Sequence, residues 1–581
     1  MNQFGMDAAK DMLPAVRSSS PVTRNENEMT GDDEFDLGPD PGCLGDDAGP
    51  SGEYQQGLLR EMPAASASDE DENTYECQIE ELQATRTLTS CIRGARLGDI
   101  YCKLDADVLM HLRNPPSTPL VIEDPDLRLS IDIYLATTNS SQDTYNQVRD
   151  GIIRRYPDCG ILSFASVKRK VAELSGVFPI VHDMCVNSCM AYTGIWDQLD
   201  HCSTCGEHRY KQQGAPRVLR QQFYTLPIGP QLQALWRSPE SARNIRYRER
   251  RTKDLLDELN NNGGNLSTYD DILCGSDYLD EVISGNIQSG DMVLMLSINS
   301  AQLYQKKASD TWIYIWVVLD HAPDVRYKKK HVLPGGFIPG PRPPKNLDSF
   351  LFPGLHHLSA IQNEGVKIWD AHSDQVFTSN IFFLLACADV LGMAPLSGLV
   401  GHHGKQGCRL YCPLPGRHKP GASHYYPARL KPYGYTMAGC DHSDFLSSDI
   451  LDSESCHPRY ARNLTFVETS PNKTQYLERR KLTGICKSTI FSGLSRRLQI
   501  PRCFSLDVMH LPAINIPDLL LGLWRAVFEC DKADDRASWD WAVLVGKTWK
   551  DHGQQVAQCT PYLPGSFDRP PRNPAEKINS G

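Results

Sequence analysis

The sequence predicts a mixed α/β protein built around one sheet, and three features of the chain predict it. Three short runs of β-branched and aromatic residues, at 292–298, 311–319 and 331–338, are separated by polar turns and are typical of successive strands. A helix is predicted over 347–366, and a further apolar strand is predicted over 376–389. Three strands, a helix and a strand match an α/β sheet of ribonuclease H type, and they are also compatible with other mixed α/β folds.

Length and composition are those of a multidomain globular protein. The 581 residues are several times the size of a usual domain, and 40% of them are hydrophobic while 23% are charged. The longest apolar stretch, 381–400, is interrupted by Asp389 and Pro395, so no segment is expected to span a membrane. The amino terminus has no secretory signature, and the 19 cysteines are therefore expected to be thiols and metal ligands rather than disulfides.

The net charge of −11 conceals two regions of opposite character. Residues 1–80 contain 19 acidic and 4 basic residues, a net of −15, whereas the remaining chain contains 52 acidic and 56 basic residues, a net of +4. Residues 1–75 are rich in Asp, Glu, Ser, Pro and Gly, and such a segment buries too little apolar surface to offset its ordering entropy. We therefore expect a disordered acidic tail over 1–75, with either a solubilising or a partner-binding role.

Composition also divides the rest of the chain. Residues 76–175 have apolar residues at helical spacing and predict a small helical module. Residues 176–288 combine a compact cysteine site, a zinc ribbon, with a basic helical region. Residues 289–530 contain the predicted sheet of ribonuclease H type, interrupted by a cysteine/histidine insertion. The C-terminal segment, 531–581, ends in a Pro- and Gly-rich stretch that predicts a frayed end.

Four cysteines at short paired spacing predict a metal site. Cys185 and Cys189 are separated by three residues, and Cys202 and Cys205 by two, with twelve residues between the pairs. Each pair can reach one side of a tetrahedral ion, and the loop between them brings the pairs together, as in a zinc ribbon. Because all four ligands are cysteines, no coordination position stays open, and structural rather than catalytic zinc is expected. The alternative is that the four thiols are small buried hydrophobic groups.

A second cluster has a weaker metal pattern. Cys408 and Cys412 are followed by His418 and His424, a set that could form a Cys2His2 site. The C-x3-C spacing is loose for zinc, and the loop that leads to the histidines is long. The alternative is that these cysteines and histidines are ordinary surface or core residues that bind no metal.

A basic stretch precedes the predicted sheet. Residues 209–253 contain 11 Lys or Arg and only 2 Asp or Glu. If residues 243–253 are helical, Arg243, Arg246 and Arg250 share a face that is suited to phosphate contacts, although a solvated helix surface is the alternative. A second basic cluster, 326–331, lies directly before a predicted strand. The residues expected to bind DNA are Arg243, Arg246, Arg250, Arg251, Lys328, Lys329 and Lys330.

Carboxylates at strand ends are the remaining chemical feature. A nuclease or transposase on a ribonuclease H fold needs carboxylates on the first strand, the fourth strand and a later helix, where they hold two divalent cations. Magnesium prefers the hard oxygen ligands that Asp and Glu supply. Asp389 ends a predicted apolar strand, where an unpaired charge is costly unless it serves a site. A turn residue at a strand end is the alternative interpretation.

Several long motifs, in order, resemble a known family. The chain is similar to the fungal branch of the CACTA-type (En/Spm) DDE transposases over the motifs DMVLMLSINSAQLY, VLDHAPDVRYKKKHVLPGGFIPG, GLVGHHGKQGCRLYCP and FSLDVMHLPAINIPDLLLGLWR. The segment HDMCVNSCMAYTGIWDQLDHCSTCG also resembles the cysteine region that those proteins have before their catalytic domain. The resemblance covers roughly 180–530 and implies metal-dependent DNA cleavage and strand transfer on a ribonuclease H-like domain.

The resemblance also assigns candidate catalytic residues. The first acid of the family ends a Ser-Ile-Asp-Gly-like strand, and this chain has Asn299 there, so a neutral amide stands where an anionic ligand is expected. Asp389 matches the second acid, Asp507 is the best match for the third, and Asp348 matches an aspartate with a supporting role. Losing one charge next to two dications weakens metal binding, so the resemblance implies an impaired enzyme. Related transposases continue beyond the point where this sequence stops, which implies a truncated or degenerate copy.

The function predicted from the sequence is a transposase-like DNA-binding protein with structural zinc and, if it is active, catalytic magnesium or manganese. The expected partner is the DNA at the ends of the element; a homo-oligomer stays open, and no membrane is expected. The basic clusters are compatible with nuclear import, so a nuclear location is expected. A non-enzymatic zinc-binding adaptor is the main alternative. A zinc hydrolase using the cluster from Cys408 to His424 is less favoured, because no neighbouring Glu is placed to activate water.

Overall fold

The computed structural model describes most of the chain after the acidic tail. The predicted tail, 1–75, lies outside the described residues. The described residues are 77–211, 217–302, 310–340, 342–418, 425–426, 428–430, 444–451, 455–505, 515–530, 535–563 and 570–576.

Helices make up most of the described secondary structure. They are α1 (Glu80–Arg93), α2 (Ala106–Arg113), α3 (Pro125–Ala136), α4 (Gln142–Arg155), α5 (Phe164–Ser175), α6 (Ile228–Leu235), α7 (Pro239–Asn244), α8 (Tyr247–Asn261), α9 (Ser276–Ile283), α10 (Pro323–Arg326), α11 (Leu347–Glu364), α12 (Val390–Ser397), α13 (Ser447–Leu451), α14 (Cys456–Glu468), α15 (Lys473–Thr483), α16 (Ile516–Trp524) and α17 (Lys547–Gln558). Short 3₁₀ turns occur at Gly194–Trp196, Ile272–Cys274, Ile490–Gly493, Arg536–Ser538 and Thr560–Tyr562.

The described strands form one large sheet and two hairpins. They are β1 (Ile180–Asp183), β2 (Gln222–Thr225), β3 (Met292–Gln302), β4 (Asp310–Val318), β5 (Leu333–Pro339), β6 (Val366–Asp370), β7 (Gln375–Ser379), β8 (Ile381–Cys387), β9 (Arg417–His418) and β10 (Tyr425–Tyr426). The large sheet has the order β1-β2-β5-β4-β3-β8, while β6 pairs with β7 and β9 with β10.

The large sheet is mixed. Its neighbouring strands are antiparallel except for β3 and β8, which are parallel. A parallel pair needs a long crossover connection, and this one passes through β4, β5, α11 and the β6–β7 hairpin. Leu294, Leu296 and Ile298 on one face of β3 are fully buried, which accounts for the apolar character of this strand in the sequence.

Helix α11 packs against the sheet and is buried along nearly its whole length, from Leu347 to Gln362. Asn346 caps the helix, because its side-chain oxygen accepts the N–H of Ser349 at 3.3 Å. Gly354 allows the helix to approach β4 closely, since a Cβ at this position would lie 2.5 Å from the hydroxyl oxygen of Tyr314. Close packing of this helix on β4 therefore requires a glycine at position 354.

The predicted strands and helix agree with the structure except near 376–389. The sequence predicts one strand there, but the stretch forms the second strand of a hairpin, β7, and then β8, the last strand in the order of the large sheet, with Asn380 between them. Strand β6, Val366–Asp370, was not predicted. The break at Asn380 is fixed by a tertiary contact, because its N–H donates to Asp291 Oδ1 at 3.1 Å.

The helices of the 76–175 region belong to two cores. Residues of α1 and α2 pack into the main hydrophobic core with the sheet, whereas α3, α4 and α5 share a small core around Tyr145 and Val167. By contacts the chain divides into two compact units, 1–505 and 506–581, so the division falls inside the predicted 289–530 region. No helix in the described part of the chain combines the length and apolar composition needed to cross a bilayer.

Candidate functional site

Asn299 and Asp389 stand at the same end of two neighbouring strands. The parallel register of β3 and β8 pairs Ser297 with Cys387. Asn299, within β3, and Asp389, just beyond the end of β8, each follow two residues after this pair, so both lie at the same end of these neighbouring strands. We call this end of the sheet the Asn299–Asp389 edge.

Each of the two side chains makes a local hydrogen bond. Asp389 is half-buried and caps α12, because its Oδ1 accepts the N–H of Gly392 at 2.6 Å. Asn299 is exposed, and its Oδ1 accepts the N–H of Ser300 at 2.8 Å. A carboxylate and a neutral amide together supply one negative charge, which is a poor donor set for two divalent cations.

A third segment runs parallel to β8 along its other side. Phe383 pairs with Arg497, and Ala386 pairs with Phe504, in parallel bridges. At the end of this segment Ser505 Oγ lies 2.8 Å from the sulfur of Cys387. Asp507 follows two residues later but lies outside the described residues, so its role as a third acid stays a prediction.

Asp348 is buried in the first turn of α11. Its carboxylate forms an ion pair with Lys487, a residue that the sequence analysis did not single out. The backbone N–H groups of Lys487 and Cys486 donate to the carbonyl of Gly398, at 3.2 and 2.8 Å. Asp348 is therefore neutralised inside the protein, and its partner contacts the loop that follows α12.

The four predicted zinc ligands come together. The sulfur atoms of Cys185, Cys189, Cys202 and Cys205 all lie within 4.8 Å of one another, and those of Cys185 and Cys205 are 3.5 Å apart. Ligands 2.3 Å from a tetrahedral zinc ion are about 3.8 Å apart, so this donor set fits zinc in chemistry and in size. Asn187 donates to two of the sulfurs, from its backbone N–H to Cys185 at 3.4 Å and from its side chain to Cys205 at 3.6 Å.

The thiols of this site differ in acidity. Burial raises the pKa of Cys185 to about 11 and also raises the pKa of Cys189. Burial acts in the same direction on Cys205, but hydrogen bonds from the N–H of Glu207 and from Asn187 outweigh it and lower the pKa to about 7. Cys205 is the exposed member of the set, and it is the thiol that most readily supplies a thiolate to an entering metal.

The second cysteine and histidine cluster is described only in part. A hydrogen bond from Cys412 lowers the pKa of Cys408 to about 6, while the same bond and burial raise the pKa of Cys412. His418 lies in β9, which pairs with β10, and His424 lies outside the described residues. The two neighbouring thiols are thus half of the predicted set, and the complete Cys2His2 site stays a prediction.

Residues 243–253 of the basic stretch fall in two helices rather than one. Helix α7 ends at Asn244, and α8 begins at Tyr247, so the stretch has no single continuous face. Tyr247 is held from two sides: its hydroxyl donates to Asp271 Oδ2 at 3.1 Å, and the guanidinium of Arg326 lies 5.9 Å from its ring centre. This aromatic ring is therefore engaged within the protein.

The residues expected to bind DNA divide into paired and exposed groups. Two of them form intramolecular ion pairs, Arg246 with Asp370 at 2.6 Å and Arg251 with Asp270 at 2.8 Å. The exposed members are Arg243, Arg250, Lys328, Lys329 and Lys330. Arg250 donates to the carbonyl of Arg243 at 3.2 Å, and Lys329 donates to the side-chain oxygen of Asn139 at 3.1 Å. The exposed group is better placed for phosphate contacts than the paired group.

Both basic clusters lie at the end of the sheet opposite to Asn299. Arg248 of α8 donates to Asp320, just after β4, and to the carbonyl of Asp291, just before β3. Residues 328–330 precede β5 at this same end. Along β3, the stretch from Met292 to Asn299 spans about 20 Å, whereas β5 begins at Leu333, which pairs with Trp316 and is thus level with Leu296, three residues from Asn299.

One family matches part of the chain. Residues 291–417 match the transposase family tnp2. The matched segment begins just before β3 and ends in β9, and it contains Asn299, Asp348, Asp389, Cys408, Cys412 and residues 328–330. The four-cysteine site, the basic stretch 209–253 and Asp507 lie outside it. The match supports a transposase-like function for this segment. Among curated proteins, none matches the chain.

Proposed function

We propose that this protein is a CACTA-type transposase whose metal-dependent DNA cleavage and strand transfer are impaired at Asn299. The observation that carries the proposal is that Asn299 and Asp389 each follow two residues after the last pair of the parallel strands β3 and β8, at the same end of the sheet. The strand order β5-β4-β3-β8, with segment 497–505 beside β8, supports a ribonuclease H-like domain. The tnp2 match over 291–417 covers this part of the chain.

The proposed roles follow from the chemistry of the side chains. Asp389 holds a divalent cation with the carboxylate oxygen that does not cap α12. Asn299 offers only a neutral carbonyl oxygen, which is already bonded to the N–H of Ser300. Paired magnesium or manganese ions, when bound, activate the attacking oxygen and stabilise the leaving one. Asp507 remains the candidate for the third acid.

A cleavage assay that restores the missing acid tests this proposal. We expect the parent chain to nick a supercoiled plasmid carrying element ends weakly or not at all in Mn²⁺. Asn299→Asp adds the second carboxylate at the edge, and we expect at least a tenfold gain in nicking, which corresponds to about 1.4 kcal/mol of transition-state stabilisation. Asn299→Asp combined with Asp389→Asn is the matched control and should lose the gain. Robust nicking by the parent chain would contradict the impairment, and nicking that survives Asp389→Asn would contradict the assignment of the site.

We also propose that the four-cysteine site binds structural zinc. The proposal is supported by four convergent sulfurs, by the Asn187 hydrogen bonds to two of them, and by the absence of any other ligand type in the set. Such a site closes a loop over 185–205 and contributes to folding rather than to chemistry.

DNA binding by the exposed basic residues is part of the same proposal, together with a nuclear location. A non-enzymatic adaptor is the second candidate, and the ion pairs of Arg246 and Arg251 favour it, because they remove two expected phosphate contacts. The salt dependence of DNA affinity separates the two. Each phosphate contact adds a slope of about −0.9 to the plot of log affinity against log salt. A slope near zero would favour the adaptor, and a slope steeper than about −4 would favour the transposase. A homo-oligomer is compatible with both.

A further inference from the structure

Two exposed tyrosines lie next to the two partners of one buried ion pair. Arg326, the last residue of α10, donates two hydrogen bonds to Asp271, at 2.8 and 2.9 Å, and each side chain is 1% exposed. Tyr327 directly follows the arginine and is 56% exposed, while Tyr269 lies two residues before the aspartate and is 76% exposed. The ion pair therefore keeps the Cα atoms of the two tyrosines within about 25 Å of each other.

The loop that contains Tyr269 is also bonded to α8. Arg251 donates to the carboxylate of Asp270 at 2.8 Å, and the hydroxyl of Tyr247 donates to the carboxylate of Asp271 at 3.1 Å. Together with the buried ion pair, these bonds hold the loop on the surface of the protein. Because its backbone is already held, Tyr269 loses little conformational freedom when it binds a ligand.

The side chains of these two tyrosines are not used for packing within the described part of the chain. Tyr269 and Tyr327 form no hydrogen bond and no ring contact with any residue that the structure describes. The comparably exposed Tyr156 differs, because the guanidinium of its neighbour Arg155 lies 4.8 Å from its ring centre. An exposed aromatic ring on a held backbone is suited to stacking on a planar ligand.

The residues that follow Tyr327 supply positive charge. Residues 328–330 are three exposed lysines, and neither Lys328 nor Lys330 forms an ion pair with a residue that the structure describes. The two acids that directly follow Tyr269 are each paired with an arginine, so they do not cancel this charge. We call Tyr269, Tyr327 and residues 328–330 the tyrosine–lysine surface. Its charge attracts a polyanion, and its rings offer two stacking positions.

We propose that the tyrosine–lysine surface binds an unpaired DNA strand, with Tyr269 and Tyr327 each stacking on a base and residues 328–330 contacting phosphates. Aromatic side chains among basic residues bind single strands in this way, because every base has a π face. A duplex keeps its bases stacked inside, so it offers this surface only its phosphates. The choice of DNA rests on the proposed function, but these contacts need neither a metal ion nor cleavage.

The test measures binding of the full chain to a labelled oligo(dT) strand of about 12 nucleotides by fluorescence anisotropy. We expect Tyr269→Ala and Tyr327→Ala each to weaken binding by at least about fivefold, the smallest loss typical of one base–aromatic stack, and the double variant by at least about 25-fold. The corresponding Tyr→Phe variants should bind within about twofold of the parent, because stacking needs the ring and not the hydroxyl.

Tyr156→Ala is the matched control, since Tyr156 is 57% exposed but lies outside the surface. The length of α4, about 21 Å, separates it from the loop of Asn139 that contacts Lys329. This variant should bind oligo(dT) as the parent does. The melting temperature of each variant is measured, so that a misfolded variant is recognised.

Salt dependence separates stacking from phosphate contacts. Lys330→Gln should make the plot of log affinity against log salt less steep by about 0.7, the value for one phosphate contact on a single strand. The tyrosine variants should leave this slope unchanged, because stacking releases no counterions. A tyrosine variant that alters the slope as the lysine variant does would contradict the assigned roles.

A duplex of the same length distinguishes failure of this inference from failure of the proposed function. We expect the tyrosine variants to bind the duplex as tightly as the parent does. If the parent binds the duplex but both tyrosine variants bind oligo(dT) as tightly as Tyr156→Ala does, the inference is wrong and the proposed DNA binding stands. If the parent binds neither DNA, the proposed DNA binding fails and the inference fails with it. Polyglutamate that displaces the labelled strand as well as unlabelled oligo(dT) does would show attraction of anions alone and would overturn the stacking.

Discussion

Replacing Arg248 with methionine is expected to destabilise the protein strongly, because this arginine is both buried and fully bonded. Its side chain is 2% exposed, and its Nε donates to Asp320 Oδ1 at 2.7 Å. The remaining N–H groups reach the hydroxyl of Tyr278 and the carbonyls of Gln288, Ser289 and Asp291. The Asp320 carboxylate in turn accepts the N–H of Val293 in β3 at 2.8 Å.

The magnitude follows from the charge that the substitution leaves behind. Arg248→Met approximately keeps the volume of the side chain. It leaves the Asp320 carboxylate, which is 6% exposed, without its charged partner. Breaking a buried pair in this way costs about 3–5 kcal/mol. Burial raises the pKa of Asp320 and Arg248 opposes that rise, so in the variant the folded-state pKa moves further above the unfolded value. The cost is therefore smallest below about pH 4 and grows as the pH rises towards 7.

Urea unfolding at pH 7, followed by tryptophan fluorescence, measures this cost. Arg502→Met is the matched control, since Arg502 and its partner Asp277 are 45% and 39% exposed and should contribute no more than about 1 kcal/mol. The double variant Arg248→Met with Asp320→Asn should recover part of the loss, because it removes the stranded charge. If Arg248→Met costs no more than Arg502→Met, the description of the buried pair is wrong.

Three further outcomes are expected. Gly354→Ala should lower the free energy of unfolding by about 1–3 kcal/mol, because the new Cβ meets Tyr314. Gly151→Ala in α4, where no crowding occurs, should not lower it. Equal effects of the two substitutions would refute the close approach of α11 to β4. Cys202→Ser should lower bound zinc from one ion per chain to well below one, measured by elemental analysis, whereas the exposed Cys559 should be replaceable by Ser without loss of zinc. His182 is buried with its pKa lowered to about 3 by burial, so its contribution to stability is present above about pH 6.5 and is lost as the pH falls below that value. His182→Phe should therefore remove up to about 1.4 kcal/mol of destabilisation per pH unit between pH 6 and pH 4, and parallel stability curves for the two proteins would contradict this.

The parts of the fold that local pattern determines were predictable from the sequence. The runs that became β3, β4 and β5 are rich in β-branched and aromatic residues, and α11 forms over Leu347–Glu364, close to the predicted range 347–366. The continuous apolar run at 376–389 gave no sign of its break. That break depends on the bond between Asn380 and Asp291, which are 89 residues apart in the chain.

The candidate site was predictable where its residues follow one another in a motif. The cysteine spacing predicted which four thiols would meet, and these four sulfurs do converge. The ion pairs were not predictable, because their partners are distant: Arg246 and Asp370 are 124 residues apart, and Asp348 and Lys487 are 139 residues apart. Charge runs indicate that basic residues are present, but only the fold decides which of them already have a partner.

Arg250 lies in α8, the helix that contacts Asp291 just before β3, and its separation from Asn299 sets a minimum length for any single duplex that touches both. A separation of about 20 Å corresponds to about six base pairs at 3.4 Å per step. A duplex shorter than this would contact only one of these two positions. Binding measurements with duplexes shortened one base pair at a time would therefore report the distance along β3 that the bound DNA covers.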